Sequence, residues 1–199
     1  PVKTAEEVEF AEILEEASVD TSDGVETEDV EIPNANTQNE QAVDVNAWAK
    51  GESSEVEFKS TLRVSLHSGN PDDRVELACL KTIAAFLNTH GGSLVVGLDD
   101  EGQPVGLDHD NFDNEDKMSL HLVSLVNARM GPLAMTCTDI RFEDCGGKRI
   151  MVVKCLKASK PIFYKEKGSE TEAFYVRTGP STTQLSASQT QDYISQAWS

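Results

Sequence analysis

The segment Gly91-Gly92-Ser-Leu94-Val95-Val96-Gly97-Leu98 constrains this chain more than any other. A short continuous apolar run, entered through two glycines, predicts a central strand covered on both faces. Something must lie on each side of it. Upstream, Val75, Ala78, Cys79, Thr82, Ile83, Phe86 and Leu87 follow helical spacing, and Gly91-Gly92 stops that helix. The helix is expected to start at Pro71, with Asn70 as its cap and Asp72 and Asp73 in its first turn. Residues 55–59 alternate, Val56 and Phe58 on one face and Glu55, Glu57 and Lys59 on the other, which predicts a half-buried strand.

Downstream, Asp99-Asp-Glu-Gly102 reads as a turn and Val105–Leu107 as a short returning strand. A second helix fits 115–130, with Met118, Leu122, Leu125, Val126 and Met130 inward. Thr136–Phe142 and Arg149–Leu156 flank Cys145-Gly-Gly147, a hairpin signal. Pro161–Tyr164 and Ala173–Arg177 read as two more strands, and Ser186 as the cap of a last helix reaching about Ala197. The expected fold class is α+β, a single mixed-sheet domain with about three helices.

Charge is unevenly placed along the 199 residues. Of a net −18, residues 1–50 hold −12 and residues 51–199 hold −6. Residues 1–46 therefore read as a largely disordered acidic tail or linker, with too little apolar surface to offset its ordering entropy. Within it, Val8, Ala11, Ile13, Leu14 and Ala17 could form one short apolar helix face. The tail could also compete with nucleic acid for a basic face. The domain is expected over 47–199. The cysteines at 79, 137, 145 and 155 lack the spacing of a zinc site, so idle thiols in a reducing, cytoplasmic compartment are expected, without zinc. No apolar stretch reaches transmembrane length, so no membrane contact is expected.

Several groups could carry chemistry. Glu52, Glu57 and Asp100 are carboxylates that a fold could bring together around a divalent metal. Glu52 and Glu57 are an odd number apart, so they converge only if the chain bends at Ser53-Ser54. The bland alternative is solvent-side charge at Glu55 and Glu57 and a plain turn at Asp99-Asp100. Between 148 and 167, Lys148, Arg149, Lys154, Lys157, Lys160, Lys165 and Lys167 face a single acid, Glu166. They suit phosphate contact, or they are solvated hairpin edges. Phe163, Tyr164, Tyr175 and Arg177 could add stacking surface. The glycines at 91–97 lack the arrangement of a phosphate-wrapping loop, which argues against ATP. Asn88, Thr89 and His90 are polar groups beside the strand.

Four pieces occur in a fixed order: Glu52-Ser-x-x-x-Glu57-Phe58-Lys59; Ile83-x-Ala85-Phe86-x-Asn88-Thr89-x-Gly91-Gly92-x-Leu94-x-x-Gly97-Leu-Asp99-Asp100; Val105-Gly106; and Phe174-Tyr-Val-Arg177-x-Gly179-x-Ser181-Thr182. In this combination the chain resembles the Schlafen AlbA-type domain over roughly residues 48–197. The resemblance implies nucleic-acid binding, with RNA favoured over DNA. It also implies a metal-dependent endoribonuclease in which Glu52, Glu57 and Asp100 hold Mg²⁺ or Mn²⁺ and carry the catalysis. Lys59 and Arg177, with the 148–167 cations, would hold the backbone. On that reading Glu57→Gln or Asp100→Asn should abolish cleavage and leave the fold intact. The alternative it allows is a non-enzymatic regulatory, DNA-binding or oligomerisation module of a larger bacterial protein. Schlafen cores pair two lobes, so a homodimer is the expected partner arrangement.

Overall fold

The helix expected after residue 70 is the pivot of the fold. In the computed structural model, which describes residues 51–199, helix α1 spans Asp73–Asn88. From Cys79 to Asn88 only Lys81 escapes full burial. A helix buried all round must be packed on more than one side. Here α1 lies between two sheets.

The larger sheet has four strands in the order β1-β4-β6-β5: Val56–Lys59, Gly92–Val96, Lys148–Cys155 and Thr138–Cys145. Strand β1 runs parallel to β4, and the other pairings are antiparallel. The parallel pair is joined through α1, as parallel neighbours require. Leu94, Val95 and Val96 are all fully buried, as the apolar run predicts. Alternation sends Leu94, Val96, Met151 and Val153 into the main core with α1, while Phe58, Val95, Ile150 and Val152 form a smaller cluster on the opposite face.

The second sheet orders β7-β8-β9: Tyr164–Lys165, Glu172–Thr178 and Ser181–Leu185. Strand β8 packs on α1, and Ala173–Arg177 are buried throughout. A two-residue pair, β2 (Val64–Ser65) and β3 (Asn70–Pro71), sits before α1. Helices α2 (Glu115–Met130), α3 (Pro132–Thr136) and α4 (Ala187–Ala197) complete the domain. Ser186 and Gln189 form a reciprocal capping box on α4. The expectations for residues 1–46 lie outside the described residues.

Beyond the unexpected β2–β3 pair and the short helix α3, which brings the helices to four, four expectations about elements change. Helix α1 starts two residues later, because Asn70 and Pro71 pair with Val64 and Ser65 and the Asp72 carboxylate takes the cap, accepting from the Arg74 N–H at 2.9 Å. Val105–Leu107 is not a strand. The Gly97 carbonyl accepts from both the Val105 and Gly106 N–H groups, leaving a single Leu98–Pro104 bridge. Pro161–Tyr164 shortens to β7, since Pro161 has no N–H and both backbone groups of Ile162 are taken by the Asn88 side chain. Strand β9 is additional: its Ser-Thr-Thr-Gln-Leu sequence has no apolar alternation and forms by pairing with β8.

Glycines act where backbone geometry requires them. Gly146 and Gly147, at φ 56° and 76°, make the two-residue turn between β5 and β6. Gly91 has φ 86°, and a Cβ there would lie 2.6 Å from the Cys155 carbonyl oxygen.

All four cysteines are free, and burial pushes the Cys79 and Cys155 thiols up to about 12. Cys137 and Cys145 are partly exposed. Alkylation at pH 8 should therefore label two thiols in the native protein and four in denaturant, with mass spectrometry assigning the fast pair to Cys137 and Cys145. Among the described residues, no helix is long and apolar enough to cross a membrane.

Candidate functional site

Strand β1 is an edge of the larger sheet, and its free side is closed by the chain that precedes it. The Ser53 N–H donates to the Val56 carbonyl at 2.9 Å, so residues 51–55 fold back. The Glu52 carboxylate then accepts from the Phe58 N–H at 3.0 Å. This is the bend that the odd spacing of Glu52 and Glu57 demands. It gives Glu52 a structural task, satisfying an edge donor that no neighbouring strand reaches.

Glu57 projects on the α1 side of the sheet rather than to solvent. One carboxylate oxygen meets Lys59 Nζ at 2.7 Å and the other meets Arg177 Nη1 at 2.9 Å. The Arg177 side chain is 1% exposed and that of Glu57 14%. Arg177 also donates from Nη1 to Thr182 Oγ1 at 3.1 Å, and from Nη2 to the carbonyls of Ser53 at 2.7 Å and Pro180 at 2.8 Å. Its guanidinium lies 4.8 Å from the centre of the Phe86 ring. Its backbone N–H donates to Thr89 Oγ1 at 3.0 Å, and only Nε is left without a partner. One side chain thus ties β1, the 51–55 bend, α1 and the β8–β9 turn together. Arg177, expected to meet a nucleic-acid backbone, points inward. Lys59, 26% exposed, is the cation of this cluster with most access to solvent, although its Nζ also donates to the Phe58 carbonyl at 2.8 Å.

Asp100 does not join the cluster through any hydrogen bond. It stands exposed in the turn after β4, which Asp99 closes by accepting from the Glu101 N–H at 3.1 Å and the Gln103 N–H at 2.7 Å. A divalent ion shared by the trio would need a free oxygen from each carboxylate at one point. Both oxygens of Glu57 are engaged by cations, and one of Glu52 by a backbone donor. Among the described residues, no three His, Cys, Asp or Glu side chains gather as such an ion requires. In this arrangement Glu52, Glu57 and Asp100 do not fit a shared metal. Glu57→Gln is also not a silent substitution, because it strands a buried arginine; Asp100→Asn is the clean probe of the acidic trio.

The expected basic residues do not share one surface. On β6, Lys148 and Lys154 alternate to the face opposite α1, the face away from Lys59. Arg149 pairs with Glu115 at 2.8 Å and Asp144 at 3.2 Å, Lys165 with Glu170 at 3.2 Å and Lys167 with Asp73 at 3.1 Å. Lys157 donates to the Ala197 carbonyl and lies over the Trp198 ring. Lys148, Lys154 and Lys160 have no charged partner among the described residues. Tyr164 and Tyr175 are core residues, and Phe163 packs on Phe174 at 5.2 Å, so none is an open stacking platform.

Two polar residues matter more than their sequence surroundings suggest. Asn88 is fully buried and donates to the Ile162 and Tyr175 carbonyls at 2.8 and 3.0 Å while accepting from the Ile162 N–H at 2.8 Å. Asp110, 1% exposed, accepts from the N–H groups of Leu62, Arg63 and Val64 at 2.6, 2.8 and 3.1 Å. No periodicity marks Asp110, whose partners lie 46–48 residues upstream. Its only signal is an aspartate in a polar Asp-His-Asp turn.

A mixed α+β domain with an acidic-basic cluster closing the edge of its first strand is the class these features define. A family model described as Schlafen, AlbA_2 matches residues 52–186, and the chain belongs to that family. Among solved structures, the DIP2311 protein from Corynebacterium diphtheriae is similar at 18% identity and a TM-score of 0.52. The match covers 73% of this chain and 28% of that one, so the present chain corresponds to a minor part of that protein. The N-terminal domain of an ATP-dependent DNA helicase RecG-related protein from Nitrosomonas europaea is 27% identical, with a TM-score of 0.41 over 70% of this chain and 84% of that domain. No curated protein matches.

Proposed function

We propose that this domain binds nucleic acid, RNA in preference to DNA, as a module of a larger cytoplasmic protein, and that in the arrangement described it holds the strand without cutting it. The supporting observation is that four motif residues up to 125 positions apart in the sequence, Glu52, Glu57, Lys59 and Arg177, meet at the edge of β1. Glu57 and Arg177 fix the local backbone, and Lys59, held by Glu57 and the Phe58 carbonyl, presents a partly exposed charge that a phosphate would have to draw from its carboxylate. Lys148, Lys154 and Lys160 add unpaired cations elsewhere. With few free cations and a net −6 over residues 51–199, affinity should be modest and its salt dependence shallow, in proportion to the few phosphates contacted. A second copy, pairing two lobes, would enlarge the contact surface.

Fluorescence anisotropy with labelled transfer RNA, single-stranded RNA and duplex DNA across a salt series tests this reading. RNA binding should weaken as salt rises, and Lys59→Gln should weaken it severalfold and flatten the slope, while Lys154→Gln on the opposite face should change it little. No binding to any of the three at low salt would end the proposal. Parallel incubation with Mn²⁺ should leave the RNA intact. Cleavage that disappears in Asp100→Asn would replace the binding-only reading with a metal-dependent endoribonuclease.

A further inference from the structure

Away from the β1 edge, a cavity of ≈ 240 Å³ opens between α1, α2 and β7. Leu77, Leu80 and Leu125 give it an apolar lining. Its charged residues divide into two groups. Asp73 is paired with Lys167 and Glu76 with His121, at 3.1 and 2.7 Å. Arg129 and Glu166 also line the cavity, and neither has an ion-pair partner among the described residues. Tyr164 lies with them. It is 2% exposed, and its hydroxyl makes no hydrogen bond among the described residues. The hydroxyl itself keeps some solvent contact and is free to bond an occupant of the cavity.

Size limits the occupant. Pockets for drug-sized ligands run from about 300 Å³ upward, so this cavity suits something smaller. Chemistry limits it further: one unmatched cation, one unmatched anion, a hydroxyl able to donate or accept, and three leucines. We propose that the cavity binds a small zwitterion with an apolar side chain, that is, a free apolar α-amino acid. Its carboxylate meets Arg129, its ammonium meets Glu166, Tyr164 bonds the head group, and the side chain lies on the leucines. This site is independent of the nucleic-acid reading.

The test is an NMR titration of the full 199-residue chain with L-leucine and L-phenylalanine, beside two truncated analogues of leucine, 3-methylbutylamine and 4-methylpentanoate. Saturable binding of at least one amino acid, at a Kd of roughly 1 mM or tighter, is expected. Each truncated analogue should bind at least tenfold more weakly. Arg129→Met and Glu166→Gln should each cost at least tenfold, with unchanged melting temperatures because neither residue is in an ion pair. If Arg129→Met fails to fold, Glu166→Gln on the exposed rim decides alone. No saturable binding of either amino acid, equal binding of an analogue, or binding indifferent to Glu166→Gln would overturn the proposal.

Discussion

Glu57→Gln lowers the stability of the domain by about 3–5 kcal/mol, the cost of breaking a buried ion pair on one side. The Arg177 side chain is 1% exposed and its charge has one carboxylate to answer it. The amide can still accept a hydrogen bond, but it cannot neutralise the guanidinium. For a domain of this size the loss corresponds to a fall in Tm on the order of 10 °C. Arg177→Met should cost a similar amount, because it also abandons the carbonyls of Ser53 and Pro180. The double variant Glu57→Gln/Arg177→Met should be less damaged than the two single losses added together, since the one charge it leaves without a partner is the partly exposed Lys59. Thermal and urea unfolding of the four proteins measure the cycle. Strict additivity, or a Glu57→Gln loss below about 1 kcal/mol, would show that the pair behaves as a surface salt bridge.

Asn88→Asp is expected to be at least as harmful at neutral pH, by about 4 kcal/mol or more. The substitution keeps the shape and reverses the chemistry. The amide nitrogen now donates to the Ile162 and Tyr175 carbonyls; a carboxylate oxygen there would face two acceptors and could donate to neither. Burial and those carbonyls both favour the protonated acid, so the folded-state pKa of the new group lies above its unfolded value. The native state then holds more protons than the unfolded one, and stability falls as pH rises through that folded pKa. Relative to the parent, the deficit should be largest near pH 7 and shrink toward about pH 4. Asn88→Ala should show no such recovery. Denaturant midpoints for both variants across that range provide the comparison, and a pH-independent deficit in Asn88→Asp would contradict it.

The sequence revealed most where local chemistry decides the structure. The apolar run at Leu94–Leu98 pointed to the central strand, which forms over Gly92–Val96, the glycine pair at 146–147 to the hairpin, and Ser186 to the last helix. These are short-range signals, and the structure agrees with them closely. What the sequence concealed depends on partners far along the chain. Asn88 shortens a strand 74 residues away by taking both backbone groups of Ile162. Asp110 holds a loop nearly 50 residues upstream. At the candidate site, the motif named the residues but could not assign their directions. Lys59 and Arg177 look equivalent as letters, yet one is accessible and the other is enclosed. The carbonyls of Ser53 and Pro180 that hold Arg177 have no side-chain signature at all. Two-residue periodicity placed Glu57 opposite Phe58, but it could not tell that the Glu57 side is covered by α1.

The fold-back at 51–55 also has a bearing on assembly. A sheet grows by adding strands at its margins, and the Glu52 carboxylate occupies the Phe58 N–H that an incoming strand on that side would need. The other margin is β5, Thr138–Cys145, which among the described strands is bonded on one side only. Extension of this sheet by another chain is therefore directed to β5. Removing the carboxylate at 52 would free the Phe58 N–H alone, because the Ser53 N–H still holds the Val56 carbonyl and Lys59 the Phe58 carbonyl, so the margin at β1 stays shut to a further strand.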